Sequence, residues 1–314
     1  MKKKFLFLFL FLALVVLVAI DLTHFSTDWD LLSLLIPQFR LPRLFVVLIA
    51  AISLSMAGLI IQTTVDNPLA DAGTMGITSG ASAGAVFFLL LSQWLKLSGI
   101  WLFMYPFFAV VGALVAFALL YQLALKKNAS NIRVLLIGLG ITALFQALIT
   151  LAQLSINSFD FQQVAVWLSG DVWQTDLTFI LFTFVLLIIG FLIFYFLRKK
   201  LEILSLGEEM ATSLGLDVGR SKMQFYLIAL LFASIGVLLV GGLAFIGLIA
   251  PHIARELVGF ESKKRAGATI LVAMIILLLA DSLSQTIIAP SSLPLGFMVA
   301  LIGAPYYIYL IQKI

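Results

Sequence analysis

The chain has 314 residues, of which 63% are hydrophobic and 11% are charged, and its formal net charge is +4. A mean hydropathy of +1.18 excludes an ordinary water-soluble domain and predicts an all-α, polytopic membrane protein in which residues 1–314 form a single transmembrane domain. Because the chain has no cysteine and only two histidines, His24 and His252, disulfides and thiolate metal centres are excluded and no metal site is expected.

Ten apolar segments follow one another along the chain, most of them close to the roughly 20 residues that a spanning helix needs. They cover residues 5–20, 43–65, 73–92, 101–125, 134–154, 177–197, 223–241, 244–254, 266–289 and 296–312. The first segment has the composition of a signal peptide, but no small-residue cleavage site follows it before Asp21, so a retained helix is favoured. The eighth segment is too short to span alone and is predicted to be a half-helix packed inside protein.

The basic residues predict how these segments are oriented. With the amino terminus inside and successive segments alternating in direction, sixteen of the 19 lysines and arginines lie on the inner side. Only Arg40, Arg43 and Lys96 then lie outside. This excess of positive charge on the inner side predicts a multi-pass membrane protein with both termini in the cytoplasm.

A glycine pattern opens the third segment, in the stretch QTTVDNPLADAGTMGITSGASAG. Gly76, Gly80 and Gly84 recur every four residues, which places them on one face of a helix. Small residues at this spacing let a second helix backbone approach closely. We interpret the three glycines first as helix-packing positions, with a direct role in transport as the alternative.

The same stretch contains a break between two helices at Asn67-Pro68. Asn67 and Leu69 lie at this break on the inner side, where a gate could be placed. The amides of Gln62 and Gln146 could line a polar pathway through the bundle, or they could join helices by hydrogen bonds.

The second half of the chain repeats this theme in GGLAFIGLIAPHIAREL, residues 241–257. A pair of glycines leads into a short helix that ends in Pro-His at the inner surface. Two interrupted segments in corresponding halves predict a duplicated, inverted unit with a pathway between the halves.

Asp281 lies inside the apolar run of the ninth segment. An acid within the membrane is costly and frequently functional, so a proton relay is one interpretation. Ser282, Ser284 and Gln285 can supply hydrogen bonds, and no basic residue is next to it in the sequence. We therefore favour a structural role for Asp281 over proton transfer.

The motif RLPR places Arg40 and Arg43 on the outer side, at the mouth of the second segment. Arginines at this depth can simply extend to the membrane surface. Because the outer side is otherwise almost free of basic residues, we favour a docking role, in which the two guanidinium groups receive carboxylates of an extracellular partner.

The polar stretch LSLGEEMATSLGLD, residues 204–217, interrupts the apolar pattern on the cytoplasmic side. Ser205 and Glu208 have the spacing of a capping box, which predicts a short helix that starts near Leu206. Gly215 is predicted to end this helix.

The apolar residues of this short helix form a narrow stripe of Leu206, Met210 and Leu214. A solvated connecting loop would need neither a capping signal nor such a stripe. An apolar helix face in water predicts a groove on a partner protein.

The chain has no G-x-x-x-x-G-K-[ST], H-E-x-x-H or G-x-S-x-G motif. It therefore lacks the sequence signature of a P-loop ATPase, and no catalytic residue is predicted. We expect a transport subunit rather than an enzyme, with energy supplied by a partner or by an ion gradient. An ion-driven secondary transporter that uses Asp281 is the alternative from another class.

Several of these motifs, taken in order, resemble the FecCD-type permeases of bacterial ABC importers for iron-siderophores, haem and vitamin B12. The resemblance extends from RLPR to LPLGFMVALIGAPYYIYLI and includes NPLADAGTMGITSGA and LSLGEEMATSLGLD. It implies the type II importer fold of about ten helices, in the cytoplasmic membrane of a bacterium. It also implies a second permease subunit, identical or closely related, two cytoplasmic ATPase subunits that bind ATP and Mg²⁺, and an extracytoplasmic binding protein.

The resemblance also assigns roles to particular residues. Arg40 and Arg43 match arginines that meet acidic residues of the binding protein, and Asn67 and Leu69 match the inner gate region. A cytoplasmic segment at about 201–221 matches the coupling helix that enters the ATPase. The residues expected to act in this coupling are Leu204, Leu206, Gly207, Glu208, Glu209, Met210, Leu214 and Gly215.

One position departs from the family pattern. Family members can carry a further outer arginine shortly after the aspartate of the ninth helix, whereas here Asp281 is followed by Ser-Leu-Ser-Gln. Docking is therefore expected to depend more heavily on Arg40 and Arg43. A ferric siderophore is the expected cargo because most of the family carries one, with haem and cobalamin as alternatives.

Overall fold

The computed structural model describes residues 2–23, 29–96, 104–127, 130–155, 165–172, 176–259, 262–289 and 291–313. These residues form helices and connecting turns without any strand, as the composition predicts. His24 and residues 101–103, at the start of the predicted fourth segment, lie outside the described residues.

The helices follow the apolar pattern of the sequence, and each of the ten predicted segments corresponds to one of them. The bounds are α1 Lys2–Thr23, α2 Trp29–Leu35, α3 Leu41–Val65, α4 Ile77–Trp94, α5 Tyr105–Leu123, α6 Asn131–Gln153, α7 Leu177–Leu204, α8 Glu208–Ser213, α9 Val218–Val240, α10 Ile246–Val258, α11 Ser262–Thr286 and α12 Leu295–Lys313. A π-helical turn, Ile36–Arg40, joins α2 to α3. The outer approach to α3 is thus helical, which the sequence analysis did not predict.

Among the described residues, seven helices are long and apolar enough to cross a membrane, and the apolar parts of α5 and α12 are shorter. The α10 helix has 13 residues and is the predicted half-helix. It begins after Phe245, whose φ of 69° turns the chain sharply out of the preceding loop. Non-glycine residues rarely adopt this left-handed conformation, so the start of α10 is a constrained point of the fold.

The core of the subunit lies around α3 and α9, which pack against each other and are almost entirely buried. In contrast, α1, α6 and α7 expose many large apolar side chains, such as Phe9, Leu136 and Phe196. Such faces would be unstable in water but are compatible with lipid or with another apolar helix. The arrangement of buried and exposed faces is therefore that of a membrane-embedded bundle.

The closest backbone approach in this core joins α3 to α10 at two glycines. A Cβ atom built on Gly58 would overlap the carbonyl oxygen of Gly247. Four residues further along α3, the Gln62 side-chain amide donates a hydrogen bond of 3.0 Å to the carbonyl of Leu248. Gln62 is buried and thus joins helices, which was the second of its two predicted roles.

We predict that Gly58→Ala destabilises the fold strongly, because the added methyl group meets backbone that cannot rotate away. Overpacking of this kind costs up to about 3 kcal/mol. The matched control is Gly140→Ala in α6, where an added Cβ has no neighbour within 4 Å. Thermal unfolding and the monodisperse yield in detergent should fall for Gly58→Ala and stay unchanged or rise for Gly140→Ala. Equal values for both variants would contradict the packing argument.

Two of the three predicted packing glycines lie on one face of α4. Added Cβ atoms at Gly80 and Gly84 would overlap backbone atoms of α5, including those of Gly112. Gly76 differs from the prediction because it precedes α4 in a left-handed conformation, with a φ of 79°. An added Cβ there would meet Ile141 of α6 instead. Gly76 therefore turns the chain into α4 and does not extend the α4–α5 contact.

Candidate functional site

The break after α3 is a tight turn built by Asn67. Asp66 adopts a left-handed conformation with a φ of 50°, and the Asn67 Oδ1 atom then accepts a hydrogen bond of 2.8 Å from the backbone N–H of Leu69. Leu69 packs against an apolar cluster that contains Leu248 of α10 and Leu310 of α12. Asn67 thus shapes the turn, and Leu69 joins it to two helices of the second half.

A cavity of about 380 Å³ lies beside this turn, between α4, α6 and the loop that leads into α10. Its lining combines apolar side chains, among them Leu243, Phe245 and Leu248, with serine and threonine hydroxyl groups. The hydroxyl groups belong to Thr74, Thr78, Ser79, Ser82 and Thr142. No lysine or arginine of the described chain lines it, so the cavity can form hydrogen bonds with a hydrophilic solute without attracting an anion by fixed positive charge.

The predicted polar residues divide between this cavity and the core. Gln146 is exposed and lines the cavity, whereas Gln62 is buried away from it. Asp71 also lines the cavity, but its Oδ1 atom accepts a hydrogen bond of 2.7 Å from the Thr74 backbone N–H. Thr142 donates to the Gly73 carbonyl at 2.8 Å. These bonds fix the loop, and they hold its hydroxyl-bearing residues at the cavity wall.

At the end of the bundle where α3 begins, Arg43 makes a bidentate ion pair with Asp281. Arg43 Nη2 lies 2.8 Å from one carboxylate oxygen and Nε lies 3.1 Å from the other. The Gln285 amide donates a further hydrogen bond of 2.8 Å to Asp281, which is completely buried. The sequence gives no sign of a basic partner for Asp281, because Arg43 is 238 positions away in the chain.

The same guanidinium group also approaches a second acid. Asp171, in the connector at 165–172, lies 3.7 Å from Arg43 Nη2. Burial raises the pKa of the Asp171 carboxyl, and the nearby Arg43 charge opposes that rise. Arg43 therefore ties α3 to α11 and to the connector. The sequence did not single out Asp171, since its position in a polar loop carries no distinguishing signal.

Ser282 and Ser284 have other roles than the predicted solvation of the Asp281 carboxylate. Ser282 donates to the carboxylate of Asp21 in α1 at 3.4 Å, and Ser284 donates to the Asp281 backbone carbonyl at 2.8 Å. Only Gln285, of the three, bonds to the carboxylate itself. Asp281 is thus held by Arg43 and Gln285.

Arg40 is partly exposed at the end of the π-helical turn, and its Nη1 donates to the backbone carbonyl of Leu22 in α1. Of the two RLPR arginines, Arg43 is engaged by an internal carboxylate, while this contact of Arg40 is to a neutral group.

The polar segment after α7 does contain a short helix, but its start differs from the prediction. Gly207 is the N-cap residue, with a φ of 95°, and α8 begins at Glu208 rather than near Leu206. No capping box forms, because the Ser205 hydroxyl donates to the Glu202 carbonyl at 2.7 Å. Ser205 and Glu208 have the spacing of a capping box, but Gly207 between them adopts a positive φ and turns the chain sharply into the helix.

The end of α8 agrees with the prediction that Gly215 stops it. Gly215 has a φ of 80°, its N–H donates to the Thr212 carbonyl, and the Leu216 N–H donates to the Ala211 carbonyl. This pair of bonds is a Schellman motif, in which a left-handed glycine satisfies the last carbonyls of a helix. Both ends of α8 therefore depend on a glycine.

The three residues of the predicted apolar stripe are exposed, although only Met210 lies within α8, with Leu206 before it and Leu214 after it. Leu206, Met210 and Leu214 are 62%, 54% and 59% exposed, respectively. Leu204 differs, since it is buried in the core and cannot contact a partner directly. Among the proposed coupling residues, Leu204 can therefore only support the segment from within.

The inner side of α8 is attached to the bundle. Ala211 is completely buried, and Glu208 forms an ion pair with Lys222 in the first turns of α9. Glu208 and Lys222 also line a cavity of about 310 Å³ between α8, α9 and the start of α6. The helix is thus anchored to α9, and it exposes Met210, with Leu206 and Leu214 exposed in the residues that flank it.

No group of three or more potential metal ligands occurs among the residues that the structure describes. His252 lies near Glu256, one turn along α10, with a separation of 3.7 Å between Nε2 and Oε1.

Comparison with known proteins identifies relatives over almost the whole chain. The model of the FecCD transport family matches residues 5–313. The iron(3+)-hydroxamate import system permease protein FhuG of Bacillus subtilis is 38% identical over 278 residues, which are 88% of this chain and 83% of that protein. The Fe(3+) dicitrate transport system permease protein FecD of Escherichia coli is 31% identical over 276 residues, which are 88% of this chain and 84% of that protein.

The fold has a solved counterpart as well. A metal-chelate type ABC transporter in an inward-facing conformation superposes with a TM-score of 0.83 and 27% identity, over 99% of this chain and all of the other. A second structure, of PsaBC from Streptococcus pneumoniae, superposes with a TM-score of 0.60 and 18% identity, and it supports the fold alone.

Proposed function

Because this chain belongs to the FecCD transport family and is a permease subunit of an ABC importer, we propose that its cargo is a ferric siderophore chelate. The observation that carries this proposal is that relatives matched over most of their length are permeases for iron chelates, with a hydroxamate system at 38% identity. The serine and threonine hydroxyl groups of the cavity can form hydrogen bonds with the polar groups of such a chelate. Haem and cobalamin are the alternative cargoes.

In this proposal the chain is one transmembrane domain of the bacterial cytoplasmic membrane, with both termini inside. A second permease subunit completes the pathway, two cytoplasmic ATPase subunits bind ATP and Mg²⁺, and an extracytoplasmic protein delivers the chelate. The permease itself is not catalytic. Its part is to offer alternating access, while ATP binding by the partner displaces α8.

The residues take the following roles in the proposal. The stripe of Leu206, Met210 and Leu214 enters the ATPase, and Glu209 adds to the exposed surface of α8. Asn67 and Leu69 shape the inner end of the pathway, and Gln146 lines it. Arg40 receives an acidic residue of the binding protein, and Arg43 lies beside it.

The rival, a proton-coupled transporter that uses Asp281, has little support from the geometry. A proton site has to exchange its proton during transport, whereas Asp281 holds a bidentate contact with a guanidinium group and accepts a hydrogen bond from Gln285. The chain also belongs to a family of ABC importers, in which ATP supplies the energy and no proton gradient is needed.

Reconstitution in liposomes tests the proposed function. The permease is purified with its ATPase and supplied with the binding protein and a radioactive ferric trihydroxamate. We expect ATP-dependent uptake that stops without the ATPase and survives a protonophore. Ferric dicitrate, haem and cobalamin are the comparison cargoes. Uptake by the permease alone, or uptake that requires a proton gradient, would contradict the proposal that the chain is part of an ATP-driven importer. Uptake of haem or cobalamin but of no ferric chelate would contradict the proposal that the cargo is a ferric siderophore.

A further inference from the structure

A groove on the outside of the bundle has apolar walls but ends in a cation. It lies between α7 and the beginning of α11 and encloses about 670 Å³. The α7 wall consists of aromatic and aliphatic side chains from Phe184 to Tyr195, and Ala266 of α11 lies on the other side. The small side chain of Ala266 keeps the groove open at the end that carries Arg198.

The cation at the end of the groove is Arg198. Its guanidinium carbon lies 4.0 Å from the centre of the Tyr195 ring, a cation–π contact that orients the group toward the groove. Within the described part of the chain, no carboxylate forms an ion pair with it, although Glu202 is only one helical turn away. The positive charge of Arg198 is therefore held in place without a described acidic partner.

The groove has the length of a lipid chain. Phe184 and Arg198 are fourteen residues apart on α7, which at a rise of about 1.5 Å per residue corresponds to about 21 Å. One leaflet has a hydrocarbon depth of about 15 Å, half that of the bilayer core. An acyl chain can therefore lie in the groove over the full depth of a leaflet, with its headgroup at the level of Arg198.

We propose that this groove binds an anionic phospholipid, with an acyl chain along α7 and the phosphate on Arg198. The proposal rests on the cytoplasmic placement of Arg198 in the proposed topology, where the leaflet carries negative charge. A guanidinium group matches a phosphate in shape and charge. Free phosphate would leave the apolar walls uncovered, and a zwitterionic lipid would place a second positive charge near Arg198.

The test uses the complete permease–ATPase complex in nanodiscs of phosphatidylcholine with one tenth phosphatidylglycerol, released into native mass spectrometry. We expect wild-type protein to retain phosphatidylglycerol about fivefold over its share in the nanodisc, as one basic residue near the headgroups provides. Arg198→Gln should abolish this preference. Lys199→Gln is the matched control, because it removes the same charge from an exposed residue that does not line the groove.

Further variants separate the groove from general surface charge. Ala266→Phe keeps every charge but fills the groove, and it should lower lipid retention as much as Arg198→Gln. Arg198→Lys should keep part of the preference. Thermal unfolding of each variant checks that the fold is intact. The proposal is overturned if Lys199→Gln loses as much lipid as Arg198→Gln, if Ala266→Phe loses none, or if 50 mM inorganic phosphate displaces the bound lipid.

A second copy of the chain is the other possible occupant of the groove. Since the natural chain has no cysteine, a single Ile188→Cys variant reports on this directly. We expect no disulfide-linked dimer on oxidation in the membrane. A linked dimer would assign the groove to a subunit interface and overturn the lipid site. These readouts require no transport, so they fail or succeed independently of the proposed cargo.

Discussion

Replacing Met210 with aspartate is expected to weaken binding of the ATPase to the permease by about a hundredfold. Met210 is exposed on α8, and the exposed Leu206 and Leu214 flank it immediately before and after the helix. A buried apolar anchor at the centre of an interface contributes about 2 to 4 kcal/mol, and a buried aspartate adds an unpaired charge. The loss should appear in co-purification and in the dissociation rate of the ATPase.

Thr212→Asp is the matched control for this prediction. It places the same charge on the same short helix, and Thr212 is also exposed, but it lies outside the stripe of Leu206, Met210 and Leu214. Binding of the ATPase should change by less than about fivefold. If both aspartates weaken binding equally, the stripe is not the contact. If neither does, α8 is not where the ATPase binds.

The second large effect is expected at Arg43, where replacement by methionine removes the partner of Asp281. The carboxylate is completely buried, so it would remain as an unpaired charge among apolar helices. Breaking a buried ion pair from one side costs about 3 kcal/mol or more. We expect Arg43→Met to lower the unfolding temperature and the yield of folded protein markedly.

A double variant distinguishes this explanation from loss of docking. Arg43→Met combined with Asp281→Leu removes both charges, and it should recover most of the stability that Arg43→Met loses. Stability that stays low in the double variant would show that Arg43 acts through some other contact.

Docking of the binding protein is better tested at Arg40. Arg43→Glu would bring a third acid beside Asp171 and Asp281, so it would disturb the fold whether or not Arg43 meets the binding protein. Arg40→Glu reverses a partly exposed charge whose Nη1 donates to the neutral Leu22 carbonyl. We expect weaker binding of the delivery protein, with a smaller loss of unfolding temperature than Arg43→Glu causes. Unchanged affinity would remove Arg40 from the docking surface.

The ten apolar helices could be predicted from the sequence because the signal for each of them is local, whereas α2 was not predicted. Apolar length and the glycine breaks place every span, and the stop of α8 at Gly215 follows from a single residue that tolerates a left-handed conformation. The half-helix α10 was likewise evident from its length after Gly241-Gly242. These features depend on neighbours in the chain, and periodicity and turn chemistry report on them directly.

The contacts that define the site depend on distant residues, and they could not be read in the same way. The partner of Asp281 lies in another helix, and an isolated acid in an apolar run does not indicate which arginine reaches it. The burial of Leu204 and Gln62 and the exposure of Gln146 follow from how helices rotate against each other. The capping box at Ser205 is a wrong local prediction. It was based on the spacing of Ser205 and Glu208 and did not consider that Gly207, between them, can adopt a positive φ.

The glycine contacts in the core also restrict how the subunit can deform. Backbone atoms of α3 and α10 touch at Gly58 and Gly247, and those of α4 and α5 touch near Gly80 and Gly112. Sliding either pair along its contact would drive the next, larger side chain into the opposite backbone, so each pair moves as a rigid body. Rotation between the two bodies is the softer motion, and the hydroxyl-lined cavity lies at the joint where it would open or narrow a passage.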